Sequence, residues 1–359
     1  MPNDIFLSLI MITKDNEKDI DRCLRSVQGF VDEIILIDTG STDKTKEIAE
    51  KYTYKIYDFK WTNSFSDAKN YALKWAKGKW ILNLDADESI SLKDHDKIKK
   101  IISNASMNVF GFSLIQRNYT SSIGKFGWVS SKDDSYGESS IATGYVPRRI
   151  VRLFRKDSRI SFEGAVHDSA EKSILRENKD IEETDIPIHH YGMLNRDNKE
   201  RTRMYINMEL NNLREDDFFQ RYQLGCQLHS LGELDEARGW IDKSLAINPK
   251  FHLAWLEKGT IYLEKGDIKG ALSSLKEAES LGKHEMIYGH LGIAYAQNND
   301  FSNAIEYFRK AIKLNPRNAD FYFNLGLALD SANRKTEAGL AFKRAIELNQ
   351  EYKKLVKIE

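Results

Sequence analysis

The run "WILNLDADES", Trp80 to Ser89, ends an apolar segment in two carboxylates, Asp85 and Asp87, with Glu88 next. Ionised carboxylates buried without partners cost several kcal/mol. Three together at the end of a strand call for a cation, hydrogen-bond donors or water. Two other apolar runs also end in polar side chains. "LIMIT" closes on Thr13 and "EIILID" on Asp38. Two later stretches concentrate further titratable groups. "FEGAVHD" holds Glu163, His167 and Asp168, and "IHHYG" holds His189 and His190. Side chains of these types can bind a divalent cation, accept hydrogen bonds from a ligand or take a proton.

Thr13, Asp38 and Asp85 are far apart in sequence, so the fold must bring them together. The first half alternates short β-branched runs with amphipathic helical stretches: "IFLSLIMIT", "DEIILID", "YKIYDF" and "KWILNLD" read as strands, and the segments between them as helices. Near-continuous apolar strands separated by helices of about 10–15 residues predict a mostly parallel sheet covered on both faces. Asn16, Ser41 or Thr42, and Ser66 are the expected helix caps; Asp43 is a further cap candidate at the second helix, and for Ser41 capping is favoured over a ligand role. In such α/β sheets ligands bind beyond the carboxyl ends of the strands, where all three residues fall. Residues Arg117 to Tyr145 are rich in Ser, Gly and Tyr and have no clear period. A loop of that length in a compact domain is functional or disordered.

The second half repeats. Gly225, Gly259, Gly292 and Gly326 are spaced by 34, 33 and 34, and Ala237, Ala271, Ala304 and Ala338 keep the same register. This matches the 34-residue tetratricopeptide repeat, whose small residues let two helices pack closely. Pro249 and Pro316 stand where second helices end. The expected organisation is an α/β domain over 1–194, a helical linker over 195–216 and an all-α tetratricopeptide array of about four repeats over 217–359.

Bulk properties narrow the function. Lys+Arg and Asp+Glu are 54 each in 359 residues, so no basic field suggests nucleic acid as a partner. Cys23 and Cys226 form no paired motif, which fits a reducing compartment. No run approaches the ~20 apolar residues of a membrane span, and the N-terminus lacks the basic start of a signal peptide. The expectation is a soluble, cytoplasmic protein.

The ordered set "SLIMITKDNE", "IILIDTGSTDKT", "FSDAKNYAL", "LNLDADE" and "FEGAVHD" resembles the inverting GT-A glycosyltransferases of the family 2 type, over roughly Ser8 to Gly192. The resemblance implies a Rossmann-like GT-A fold, a nucleotide-sugar donor (UDP-sugar by default) and Mn²⁺ or Mg²⁺. A divalent cation there would neutralise the diphosphate leaving group as a Lewis acid. The resemblance makes Asp87 the direct metal ligand, Asp85 a group turned to ribose or to the metal, and His190 a third ligand. Thr13 and Asp38 would face the base or ribose. Lys69 stands where the family commonly has Arg, a point charge in place of a planar fork. "VHD" departs from the family's His-Glu, which makes Asp168 the first choice of catalytic base and Glu163 the second, while His167 would orient the base or touch the pyrophosphate.

The fusion resembles bacterial protein glycosyltransferases that modify Ser/Thr of flagellin or Cys of bacteriocin peptides. It implies hexosyl or N-acetylhexosaminyl transfer to a protein or peptide held by the repeats, with Tyr222, Trp255, Tyr295 and Asn324 on the first helices as acceptor-side candidates. Two alternatives stay open: transfer to an envelope glycan or lipopolysaccharide core, and a repeat scaffold whose enzyme half is degenerate. Self-association through the repeats also stays open.

Overall fold

The computed structural model describes residues 6–122, 127–166, 168–194 and 199–356. His167, expected near the base, and the first residues of the expected linker, 195–198, lie outside the described residues. The chain divides into two compact units. The first comprises Met1–Tyr119, Tyr136–Ser139 and Pro147–Arg196; the second comprises Thr120–Ser135, Ser140–Val146 and Asp197–Glu359.

The first unit begins with β1 (Leu7–Thr13), α1 (Ile20–Val27), β2 (Glu33–Asp38), α2 (Thr45–Ala49), β3 (Ile56–Asp58), α3 (Phe65–Trp75) and β4 (Trp80–Asn83). It continues with β5 (Glu88–Ser89), α4 (His95–Asn104) and β6 (Val109–Thr120). After it come β8 (Gly144–Arg155), α5 (Glu171–Arg176) and β9 (Asp180–His190), while β7 (Val129–Ser130) belongs to the second unit. Among the described residues the strands form one mixed, mostly parallel sheet in the order β3-β2-β1-β4-β8-β6-β9-β5, with β7 paired to β8. The β1–β2, β1–β4, β2–β3 and β6–β9 pairs are parallel. The apolar strands are buried on both faces, as such sheets require. Leu9 and Leu36 face one core with Cys23 and Leu24 of α1; Ile10, Ile35 and Ile81 face the other with Ala68 and Ala72 of α3.

Local chemistry corrects the expected cap at α3 and, at α2, selects Asp43 over Ser41 among the candidates. Ser64, not Ser66, caps α3 by accepting from the Asp67 amide at 3.2 Å. At α2, Asp43 accepts from the Thr45 amide at 2.9 Å, while Ser41 Oγ instead accepts from the Asp15 amide. The ionised oxygen is the stronger acceptor near a helix start.

The second unit holds α6 (Lys199–Asn211) and four helix pairs: α7 (Phe218–Ser230) with α8 (Leu234–Ile247), α9 (His252–Glu264) with α10 (Ile268–Leu281), α11 (Glu285–Gln297) with α12 (Phe301–Leu314), and α13 (Ala319–Ser331) with α14 (Lys335–Leu348). The periodic glycines explain the pairing. A Cβ on Gly225, Gly259, Gly292 or Gly326 would stand 2.5–2.6 Å from Ile241, Leu275, Phe308 or Phe342, each sixteen positions later in the partner helix. Helix α6 adds Ile206 to the core of the first pair. The expected irregular stretch is partly built into this unit. Trp128 is fully buried with Ala319, Ala345, Leu348 and Tyr352. Arg317 donates to the carbonyls of Ser130 and Lys132, each at 2.7 Å, and the Ser130 amide donates back to the Arg317 carbonyl.

Candidate active site

The site lies in the first unit, where the ends of β1, β2 and β4 meet β8, β9 and α3. Parallel pairing puts Thr13 directly beside Asp38. Asp38 is fully buried; its Oδ1 accepts from the Gly40 and Ser41 amides at 2.9 Å each. Its Oδ2 is buried and accepts no hydrogen bond among the described residues. Lys46 Nζ lies 3.6 Å from Oδ1. Thr13 Oγ1 donates to Asn16 Oδ1, and its carbonyl accepts from the Thr39 amide.

Strand β4 stops at Asn83, so Asp85 to Glu88 is a tight turn rather than further strand. The Glu88 amide donates to the Asp85 carbonyl, and the Asp85 amide donates to Glu88 Oε2 at 2.8 Å. This turn separates the two aspartates. Asp85 is engaged by Arg152 of β8, whose Nη2 donates to Asp85 Oδ2 at 2.6 Å and to Glu88 Oε1 at 3.0 Å. Glu88 is fully buried and also takes the side-chain amide of Gln116 on β6. Asp87 turns the other way, toward His190, with Asp87 Oδ1 and His190 Nε2 3.5 Å apart. The Tyr191 amide donates to the Asp87 carbonyl, and β5–β9 pairing sets Glu88 opposite His190. Asn118 Oδ1 is 2.7 Å from His190 Nδ1 and fixes the ring from behind. That arrangement leaves Nε2 aimed at Asp87, as a ligating histidine is held by its other nitrogen.

Lys69 reaches the same turn from α3. It is buried, 2.8 Å from Asp168 Oδ2 and 3.5 Å from Asp85 Oδ1. The neighbouring Asn70 explains the meeting: its side chain exchanges two hydrogen bonds with the backbone of Phe162, at 2.8 and 3.0 Å. The Phe65 amide adds a third bond to the Ala165 carbonyl. Helix α3 therefore clamps the segment that carries Glu163 and Asp168. Glu163 itself pairs with Arg176 and bridges to Ser169 through its backbone. His189 is buried on the opposite side of β9 from His190, with its Nδ1 2.7 Å from Tyr119 Oη.

Lys69 and Arg152 are thus shared among Asp85, Glu88 and Asp168, while Asp87 faces His190. Burial and these pairings shift the proton affinities of Asp85, Glu88 and His190. Burial opposes ionisation of Asp85, but Arg152 and Lys69 outweigh it and hold the carboxyl well below the usual range. Burial pushes Glu88 upward against Arg152, with Asp85 adding to the rise. Burial also disfavours the charged form of His190, yet the Asp87 carboxylate holds the imidazole above its ordinary value. A divalent cation would fit between the Asp87 carboxylate and the His190 imidazole, and a mixed oxygen and nitrogen pair suits Mn²⁺ better than Mg²⁺, which takes oxygen ligands. Gly192 leaves the room: a Cβ there would lie 2.3 Å from Asp87 Oδ2 and 2.8 Å from His190 Nε2. Among the described residues no three such side chains already form a closed cage; the offer is an open pair.

Residues 8–177, which carry this turn and its partners except β9, match Glycosyl transferase family 2. Residues 253–281 and 291–352 match tetratricopeptide repeats. The chain is a glycosyltransferase family 2 domain fused to tetratricopeptide repeats. A TPR repeat-containing protein of Synechococcus elongatus is 27% identical over 320 residues, covering 86% of this chain and 66% of its own. The SPbeta prophage-derived glycosyltransferase SunS of Bacillus subtilis is 27% identical over 251 residues, 67% of this chain and 54% of that protein. A crystal structure of MamA aligns over 44% of this chain and 93% of its own, at 22% identity and a TM-score of 0.39. The chain spans less than two thirds of the length of these two curated relatives. No helix among the described residues is long and apolar enough to cross a membrane.

Within the glycosyltransferase domain, the sequence reading passed over Arg152, Asn118, Gln116 and Gly192. Arg152 had a signal, a charge inside the apolar run "IVRLF", since such a charge is buried only when paired. Gln116 and Asn118 share one face of β6 by the two-residue period. Of the acceptor-side candidates in the repeats, Tyr222 packs edge-on to Phe251, and Trp255 Nε1 donates to the Pro249 carbonyl. Tyr295 stacks on Tyr307, and Asn324 is half-buried.

Proposed function

We propose that the first unit transfers a hexose or N-acetylhexosamine, with inversion, from a nucleotide sugar to a Ser, Thr or Cys side chain of a protein or peptide held by the repeats. The observation that carries this reading is the meeting of Asp87 with His190 on the turn whose Asp85 joins the Lys69–Asp168 pair, at the strand ends of a family 2 domain. A diphosphate and an attacking side chain need opposite chemistries, and these two pairs, reached from the two sides of one turn, would supply them.

In this reading Asp38 and Thr13 hold the base and ribose, with UDP as the nucleotide. The unpartnered Asp38 Oδ2 can accept the imide N–H of a pyrimidine. Asp87 and His190 hold Mn²⁺ or Mg²⁺, which when bound supplies Lewis-acid stabilisation of the departing diphosphate. Asp168 takes the proton from the attacking hydroxyl or thiol; general-base help of this kind contributes about 10²–10⁴-fold. The competing carboxylate, Glu163, is held by Arg176 and by its bridge to Ser169. Lys69 orients Asp168 across 2.8 Å.

Tetratricopeptide repeats commonly bind extended peptides, and a SunS glycosyltransferase stands among the relatives. The test is mass spectrometry of bacterial proteins and peptides after incubation with the purified chain, Mn²⁺ and a panel of UDP- and dTDP-sugars. A hexose or N-acetylhexosamine mass on Ser, Thr or Cys is the expected result. Label appearing only in the lipid or glycan fraction would replace this acceptor with an envelope one.

A further inference from the structure

Arg152 sits between Val151 and Leu153 in β8, and its side chain is only 10% exposed. A guanidinium in such a place needs carboxylates, and Glu88, fully buried, already provides one at 3.0 Å. Asp85 is different. Its side chain is 37% exposed, yet it lies against the two most buried cations of the site, Arg152 at 2.6 Å and Lys69 at 3.5 Å. Lys69 is 5% exposed. The partly exposed carboxylate therefore lies against two largely buried cations, and Arg152 Nε is buried with no hydrogen-bond partner among the described residues.

We infer that Arg152, together with Lys69, forms the seat for the donor's diphosphate, and that Asp85 is an internal carboxylate occupying the seat until the donor arrives. This rests on the nucleotide-sugar reading above. The planar fork that grips a carboxylate grips a phosphate in the same way. Glu88 makes the exchange feasible. It is anchored by Gln116 and by the Asp85 amide, so Arg152 stays paired and oriented when Asp85 turns away. Arg152 then contacts substrate directly and is a binding residue rather than a purely structural one. Asp85 acquires two states, paired inward without donor and turned toward ribose or cation with it.

The experiment is calorimetric titration of the full chain and its R152K and D85N variants with UDP, uridine and inorganic pyrophosphate. UDP and uridine are titrated with Mn²⁺, and pyrophosphate with chelator. R152K keeps the charge but loses the fork, so UDP affinity falls about tenfold or more while uridine affinity is unchanged. D85N removes the competing carboxylate, so metal-free pyrophosphate binds about tenfold more tightly than to the wild type. Should R152K fail to fold, D85N still decides, because its side chain is partly exposed. Equal UDP affinity in R152K and wild type overturns the seat, as does an equal loss for uridine, and so does D85N without gain. A wild type that binds UDP while the variants behave identically overturns the seat alone. A wild type that binds neither UDP nor pyrophosphate overturns the nucleotide-sugar reading and the seat with it.

Discussion

Gly192 and Asp87 stand so close that one methyl group does not fit between them: a Cβ on Gly192 would lie 2.3 Å from Asp87 Oδ2. The glycine is there for space rather than for its backbone, since its φ lies outside the left-handed region. Gly192→Ala should push the Asp87 carboxylate off its line to His190. We expect metal-dependent donor turnover to fall at least about tenfold, with a small change in melting temperature because the atom displaced is the far end of a side chain rather than backbone. Unchanged turnover would mean that Asp87 and His190 need not converge.

The two acidic candidates for the base separate by their partners. Asp168→Asn should lower transfer by roughly 10²-fold or more, whereas Glu163→Gln should retain most of it and lose only the Arg176 pair. Rate constants measured at saturating donor decide between them. The reverse ranking would move the base to Glu163.

Much of this was legible in the sequence, for identifiable reasons. Gly225, Gly259, Gly292 and Gly326 declared the repeats because close helix packing must recur at a fixed period. Thr13, Asp38 and Asp85 declared the crevice because apolar strands that end in polar groups fall at one edge of a parallel sheet. What could not be read was pairing across distance. Arg152 meets Asp85 across 67 residues and Asn118 meets His190 across 72, and neither spacing leaves a local pattern. Burial of Trp128 among Ala319, Ala345 and Leu348 was equally hidden, because an aromatic in a Ser/Gly-rich stretch looks the same whether packed or solvated.

The repeat glycines yield a paired test of that period. Gly259→Ala places a Cβ 2.6 Å from Leu275 Cγ and should destabilise the second unit by about 1–3 kcal/mol through overpacking. Gly239→Ala meets nothing within 4 Å on α8 and should stabilise it by up to about 1 kcal/mol through helix propensity. Urea midpoints of the two variants should therefore move in opposite directions.

His229 links α7 to α9 through Glu257, 2.6 Å from Nδ1, and Glu264, 3.0 Å from Nε2. The Glu257 bond raises its proton affinity above the ordinary histidine value of 6.5, against burial. Half-buried His290 and Cys226 also face the Glu257 carboxylate, His290 lowered and Cys226 raised by desolvation. Because the folded value is raised, the stabilisation is complete below pH 6.5 and is lost as pH climbs through the folded value. His229→Gln should cost about 1.5–3 kcal/mol at pH 6 and less at pH 8.5, read from melting curves at both. A cost independent of pH would show that His229 acts only by packing.

Trp128 carries the largest packing prediction. Trp128→Ala should destabilise the second unit by about 3–5 kcal/mol, since the indole is fully buried and Gly144 leaves room only for it. Scanning calorimetry would show a lowered helical transition, and a melting temperature equal to wild type would contradict the burial.

The most direct test of the central claim is donor turnover by the purified chain with Mn²⁺, with chelator, and beside Asp87→Ala. Donors would be a panel of UDP- and dTDP-sugars, and the readout release of nucleoside diphosphate. The account predicts turnover of at least one donor that disappears with chelator and falls by several orders of magnitude in the variant. Turnover that survives both the chelator and the loss of Asp87 would contradict it.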